Sequence, residues 1–358
     1  MVRPRIRLGY NAPMASVNIR AILRAAKEQR AADVHIAAGT PLMVRLGADL
    51  APLSKESLDP AAAKDLAYQL LTPEQIAQFE SKGDLDIMLT DEHRSRYRIN
   101  VSYNDGNVGA VIRLLHIEPR PLPSLRLPPV VETFCFAEKG MILITGATSE
   151  GKTTTMASMI HHINQTLPRH IITIEDPIEY VQSKGQGIVR QREVGRDTAS
   201  FSTGLRAALR QDPDVISIGE MRDLDTIEIA LTAAETGVLV ISTLHVISID
   251  KIIERLLSYA PPESEGHIRC LLADTLQGVI HQELLPTLDG GKRVAAEILV
   301  VTDAVRNVIR TRGIYLLRNM IMMGGRHGMR HMRASLQELL EEGAISKATY
   351  DAVAVNYA

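Results

Sequence analysis

The segment Gly146-Ala147-Thr148-Ser149-Glu150-Gly151-Lys152-Thr153 constrains this chain more than any other. An apolar run, Met141–Thr145, precedes it, and a breaker-free stretch, Thr154–Ile160, follows it. Strand, glycine loop closing on Lys-Thr, then helix is the phosphate-binding P-loop in the setting that gives the pattern meaning. The residue types follow from chemistry. Glycines let backbone N–H groups turn inward around phosphate oxygens, and the helix N-terminus adds partial positive charge. Lys152 is placed to reach the outer phosphates and the Thr153 hydroxyl to ligate Mg²⁺. Gly146, Thr148, Ser149, Glu150, Gly151 and Thr154 complete the expected cradle. The competing reading is a glycine turn that fits the pattern by chance; the flanking strand and helix weigh against it.

The chain has 358 residues, enough for about two domains. Forty basic side chains against 42 acidic ones give a net charge of −2, so no global pull toward nucleic acid is expected. Cys135 and Cys270 are the only cysteines. Two cannot build a disulfide framework or a four-thiolate zinc site, which points to a reducing cytosol. No apolar run nears the roughly 18 residues that span a bilayer. Residues 1–16 open on a basic stretch without a long apolar run behind it, and read as a disordered tail rather than a secretion signal.

Over 17–117 the pattern predicts a small α+β domain. Ile19, Ile22, Leu23 and Ala26 recur at helical spacing, Ala32–Ile36 and Leu42–Leu46 read as strands around a turn at Gly39-Thr40-Pro41, and 61–80 reads as one helix. Tyr97–Tyr103 and Gly109–Leu115 alternate with period two around Asn104-Asp105-Gly106-Asn107, a hairpin signal. Five prolines in the eleven positions 119–129 exclude helix and central strand, so 118–130 reads as a stiff linker. Beyond it, over 131–358, short apolar runs at 141–145, His170–Ile174, Val215–Ile218 and Val238–Ser242 alternate with helical patterns, which predicts a mostly parallel sheet covered on both faces. The tail from about 303 reads as helical.

Further polar groups fall at the ends of those strands, where α/β folds place their ligands. Glu175, Asp176 and Glu179 follow the second strand, Glu220 the third and His245 the fourth. Glu220 suits the Mg²⁺ shell or an attacking water, and His245 a sensor of the terminal phosphate. Each has a plainer reading: a helix cap for Glu175 or Asp176, a structural histidine for His245, a surface ion pair for Arg222-Asp223. Their shared register on successive strands favours the functional set.

In order, Ile172–Glu179, Gln191-Arg192-Glu193-Val194, Leu209–Asp214, Gly219-Glu220-Met221-Arg222-Asp223, Thr232–Gly237, Thr243-Leu244-His245 and Ala304–Arg310 resemble the motifs of the PilT family of type IV pilus retraction ATPases, within the wider type II/IV secretion ATPase superfamily. The resemblance runs over nearly the whole chain. It implies a PAS-like N-terminal domain, a RecA-like ATPase domain, ATP with Mg²⁺ bound between them, and a homohexameric ring. It implies Lys152 and Thr153 as phosphate and Mg²⁺ ligands, Glu179 as the catalytic glutamate of the acidic box beside Glu175, Glu220 as the Walker B glutamate, and His245 as a His-box residue. It implies Arg98, Arg113 and Arg255 as arginines that answer phosphoryl charge. It further implies a cytoplasmic motor that takes its place at the inner membrane from a pilus platform protein, with a paralogous ATPase ring as a candidate partner.

The chain departs from the family at four places. Ser149 and Glu150 stand where the family has Gly and Ser, Val238 replaces the first His-box histidine, Val246 follows His245 in place of a threonine, and the stretch 324–333 is unusually basic. A carboxylate at Glu150 within ~6 Å of phosphate would cost roughly 3 kcal/mol at an effective dielectric near 20. Glu150 and Val238 motivate a second reading, an accessory low-turnover ring. A secretion or pilus-extension ATPase is disfavoured by the missing zinc cysteines, and a single-strand translocase by the 4% aromatic content.

Overall fold

The computed structural model describes residues 18–357 apart from 30, 48, 93, 94, 116 and 117, so the expected tail over 1–16 lies outside the described residues. The chain divides into two compact units, 1–117 and 118–358.

The first unit runs α1 (Ile19–Glu28), β1 (Asp33–Ile36), β2 (Pro41–Leu46), β3 (Asp49–Ser57), α2 (Pro60–Tyr68), α3 (Pro73–Lys82), β4 (Asp84–Thr90), β5 (Arg96–Asn104), β6 (Asn107–Leu115). Its sheet has the order β3-β2-β1-β6-β5-β4. Asn18 caps α1, and the predicted stripe Ile19, Ile22, Leu23 and Ala26 is its buried side. The single helix expected over 61–80 is two. Pro73 cannot continue a helix from Thr72, so Thr72 caps a new one through a reciprocal pair with Gln75. The hairpin forms at the predicted turn: Asn104 faces Asn107, with φ of 50° at Asp105 and 75° at Gly106.

The second unit begins inside the proline-rich stretch. Leu122–Leu125 make a short 3-10 turn whose two leucines are buried in the core, so residues 118–130, expected as a stiff linker, belong to the second unit. Then come α4 (Val130–Cys135), β7 (Gly140–Thr145), α5 (Lys152–Thr166), β8 (His170–Glu175), β9 (Ile188–Glu193), α6 (Phe201–Ala208), β10 (Val215–Ile218), α7 (Leu224–Glu235), β11 (Leu239–Leu244), α8 (Asp250–Leu257), α9 (Pro262–Thr275), β12 (Leu276–Pro286), β13 (Lys292–Val300), α10 (Asp303–Arg310), α11 (Leu317–Met323), α12 (Met332–Glu341) and α13 (Lys347–Ala354). The sheet order is β13-β12-β7-β11-β10-β8-β9, parallel except for the β12–β13 hairpin. Alternation explains the layers. Met141 and Leu143 of β7 join the core under α7 and α9, while Ile142 and Ile144 join the core under α5. The four predicted apolar runs are β7, β8, β10 and β11. Beyond β13, α12 and α13 form a further layer around Leu285, Met332 and Leu336. Among the described residues no helix is long and apolar enough to cross a membrane.

Candidate active site

The phosphate loop leaves β7 at Thr145 and enters α5 at Lys152, as the sequence pattern requires. Gly146 holds φ at 146°, and a Cβ there would lie 2.5 Å from the Gln282 carbonyl oxygen, so only glycine fits against β12. Gly151 sits at the helix N-cap with φ 81°. Ser149 also occupies the left-handed region, at 68°, a conformation that ordinarily favours glycine. Ala147, Thr148 and Ser149 form an exposed tip.

Lys152 is folded onto its own loop. Its ammonium donates to the carbonyls of Gly146 (2.8 Å) and Ala147 (2.6 Å) and lies 3.3 Å from His245 Nδ1. All three of its protons are then used. Burial holds the amine below its usual range, with Glu220 and Glu150 pulling the other way. Since Nδ1 of His245 accepts from an ammonium, Nε2 carries the proton, and it points at Glu220 Oε1, 3.4 Å away. Glu220 is also paired with Arg222 at 2.8 Å. The Lys152–His245–Glu220 line thus joins the ends of β7, β10 and β11. The plainer reading of Arg222-Asp223 as a surface ion pair does not hold: Arg222 pairs with Glu220, and Asp223 caps α7 by accepting from the Thr226 N–H.

The acidic segment divides by environment. Glu175 is buried, accepting from the Thr173 hydroxyl (2.6 Å) and the Gln191 amide (3.0 Å); it caps no helix. Asp176 is exposed and Glu179 half-buried. The segment is tied to the loop helix where the Tyr180 hydroxyl meets Thr154 Oγ1 at 2.7 Å, and Gln191 also donates to the Tyr180 carbonyl at 2.8 Å. The Thr173 hydroxyl and the Gln191 amide thus supply two neutral donors to Glu175 in its crowded position. Arg255 is exposed on α8 and stacks over the Tyr259 ring at 4.7 Å.

Arg98 and Arg113 belong to the first unit. They face each other across β5 and β6, and the same cross-strand row continues through Asp33 to Arg45. Buried Asp33 accepts from Arg113 Nε at 2.9 Å. Its carboxylate offsets the like-charge repulsion along that row.

Three residues of β12 hold the loop and escaped the sequence reading. Gln282 donates to the Glu150 carbonyl (2.6 Å) and accepts from Thr155 Oγ1 (2.9 Å). The Leu284 N–H donates to the Glu150 carboxylate. His281 Nδ1 lies 3.1 Å from Thr145 Oγ1. The signal was available: Asp289-Gly290-Gly291 between apolar runs is a hairpin signature. Thr153 and Glu220 offer hard oxygen donors of the kind Mg²⁺ accepts, one or two at a time with water and phosphate. Among the described residues no group of three or more His, Cys, Asp or Glu could hold a metal ion.

The family described as "Type II/IV secretion system protein" matches residues 129–342. The "Type IV pilus retractation ATPase PilT" of Pseudomonas aeruginosa is 38% identical over 331 residues, covering 92% of this chain and 96% of that one. The "Type IV pilus ATPase PilU" of the same organism is 32% identical, over 91% of this chain and 85% of that one. The solved structure described as "Crystal Structure of the Pilus Retraction Motor PilT and Bound ADP" has a TM-score of 0.86 at 40% identity, covering 94% of this chain and 96% of that one.

Proposed function

The chain belongs to the type II/IV secretion system protein family, and we propose that it is an ATP hydrolase that drives retraction of type IV pili. One observation carries this reading: the loop lysine, the Glu220 carboxylate and His245 form a single contact line beside an open phosphate cradle. The lysine ammonium exchanges the Gly146 and Ala147 carbonyls for phosphate oxygens when ATP enters. Thr153 and Glu220 hold Mg²⁺, which neutralises phosphate charge when bound. Glu179 orients the attacking water and takes its proton. Glu175 acts one step back, fixing the acidic segment through Gln191 and Tyr180. Arg98, Arg113 and Arg255 answer the charge that builds on the phosphoryl oxygens, an assignment that rests on family resemblance.

The working unit in this reading is a cytoplasmic homohexameric ring, placed at the inner membrane by a pilus platform protein and able to meet a paralogous ring. The balanced net charge of −2 gives no reason to add nucleic acid to these partners. Glu179→Gln and Glu220→Gln should each bind ATP and fail to turn it over. Normal steady-state phosphate release by both purified variants would reject the proposal.

The accessory-ring reading rests on Glu150 and Val238. The Glu150 carboxylate is engaged by the Leu284 N–H, which weakens the charge-clash argument for slow turnover. Val238, buried just before β11, remains its support. Brisk ATP hydrolysis by the isolated protein would remove it.

A further inference from the structure

A buried run of hydrogen bonds reaches from the phosphate loop to the last described residue. Tyr357 closes the final 3-10 turn, Val355–Tyr357, and is only 7% exposed. Its hydroxyl donates to the Glu283 carboxylate and lies 2.8 Å from His281 Nε2. On the other side of that ring, Nδ1 lies 3.1 Å from the hydroxyl of Thr145, the residue before Gly146. The direction of each bond follows from proton counting. Tyr357 gives its one proton to Glu283, so its oxygen accepts from His281 Nε2–H. The bare Nδ1 then accepts from Thr145. Burial favours this neutral ring, pushing the His281 pKa down to about 4. The turn is itself anchored: Arg318 donates to the Tyr357 carbonyl at 2.6 Å, and Arg333 to the Ala354 carbonyl at 3.4 Å.

His281 and Tyr357, the middle of the run, are each held on two sides, and the run ends at Thr145, the last residue of β7 before the loop. We propose that Tyr357 is a positioning residue for the phosphate loop, acting through His281 to hold Thr145 where the loop is ready for nucleotide. The C-terminal turn, remote in sequence, thereby helps to set the affinity for ATP. This inference rests on the reading of the loop as an ATP site.

The test uses the full chain with Tyr357→Phe, which keeps the ring and removes the hydroxyl, Thr145→Val, which cuts the other end, and the double variant. Each single variant should raise the KM for Mg-ATP about fivefold, the effect of one lost buried hydrogen bond, with kcat within about twofold. The double variant should be no worse than the worse single one, because both cut one run. Amide hydrogen exchange without nucleotide should quicken at 145–151 in both singles. An unchanged KM in both, multiplying effects in the double variant, or unchanged exchange at the loop would each overturn the proposal. A parent protein that takes up no ATP would sink the nucleotide reading instead, and the exchange measurement would still decide the positioning role.

Discussion

The two strands beside β7 each place a histidine at the phosphate loop, and the two could hardly be treated more differently. Leu244 of β11 and His281 of β12 both stand opposite Thr145, and His245 follows Leu244. The His245 side chain is 43% exposed and touches Lys152 and Glu220, groups that can change partners when phosphate enters. His281 is 1% exposed and locked between Thr145 and Tyr357. One flank is an open charged surface, where a new anion can displace existing contacts. The other is a closed hydrogen-bonded seam that keeps the loop in place while this happens. A phosphate loop needs both, because electrostatic stabilisation acts best from groups that do not have to reorganise.

The open flank should show the largest effect. Glu220→Gln keeps the size and the His245 contact but removes the charge that opposes Arg222 and would face Mg²⁺. ATP hydrolysis should fall by roughly a hundredfold or more, the usual loss for a positioned acid or base, with nucleotide still bound. Calorimetry and phosphate release on one preparation read both quantities. A drop in affinity with kcat intact would place Glu220 on the binding side instead.

The closed flank should speak through pH. His281 has its folded pKa lowered by burial to about 4, against 6.5 when unfolded. The unfolded chain therefore binds the proton first, and stability falls as pH drops from 6.5 toward 4. Glu297, its cross-strand partner on β13, has its folded pKa raised by burial to about 7 from 4.5. It works in the opposite sense: its contribution is full below 4.5 and is lost as pH rises through 7. Between pH 4.5 and 6.5 the two nearly cancel. Glu297→Gln should uncover the histidine, so that the variant gains about 2 kcal/mol more than the parent over that interval. Urea unfolding at both pH values measures it; parallel changes in parent and variant would refute the burial argument.

The open flank was legible in the sequence and the closed flank was not, for a physical reason. Lys152, Thr153, Glu220 and His245 follow apolar strands whose run length and flanking breakers can be read locally, and the parallel order of those strands follows from the intervening helices. His281, Gln282 and Leu284 act through a strand that joins the sheet from the far side of α9, and Tyr357 through a turn at the other end of the unit. Only tertiary pairing brings them to the loop. Asp33 was hidden likewise, since its charge matters only once Arg45 and Arg113 stand beside it in the sheet. The split of the 61–80 helix was readable: Pro73 after Thr72 is a local stop and start.

Gln282 tests how strongly the seam holds. It is fully buried and bridges the Glu150 carbonyl and the Thr155 hydroxyl. Gln282→Leu fills similar space but leaves both partners unsatisfied. We expect a loss of about 2 kcal/mol in stability, since each stranded buried group costs about 1 kcal/mol or more. Thermal unfolding checks it, and a loss under a few tenths would mean that water replaces the amide.

The smallest effect separates loop strain from loop clamping. Ser149 sits at φ 68° on the exposed tip between the two flanks, with a side chain that gains nothing from the left-handed backbone it must adopt. Ser149→Gly removes a penalty of about 1 kcal/mol, part of which is returned as extra freedom in the unfolded chain. The melting temperature should rise by about 2 °C at most. ATP affinity should hardly change, because the clamps at Thr145, Glu150 and Thr155 already fix the path of the loop. If affinity instead rose severalfold, strain at Ser149 would be opposing nucleotide entry, and the division between a mobile flank and a fixed one would have to give way to a loop that is under tension along its whole length.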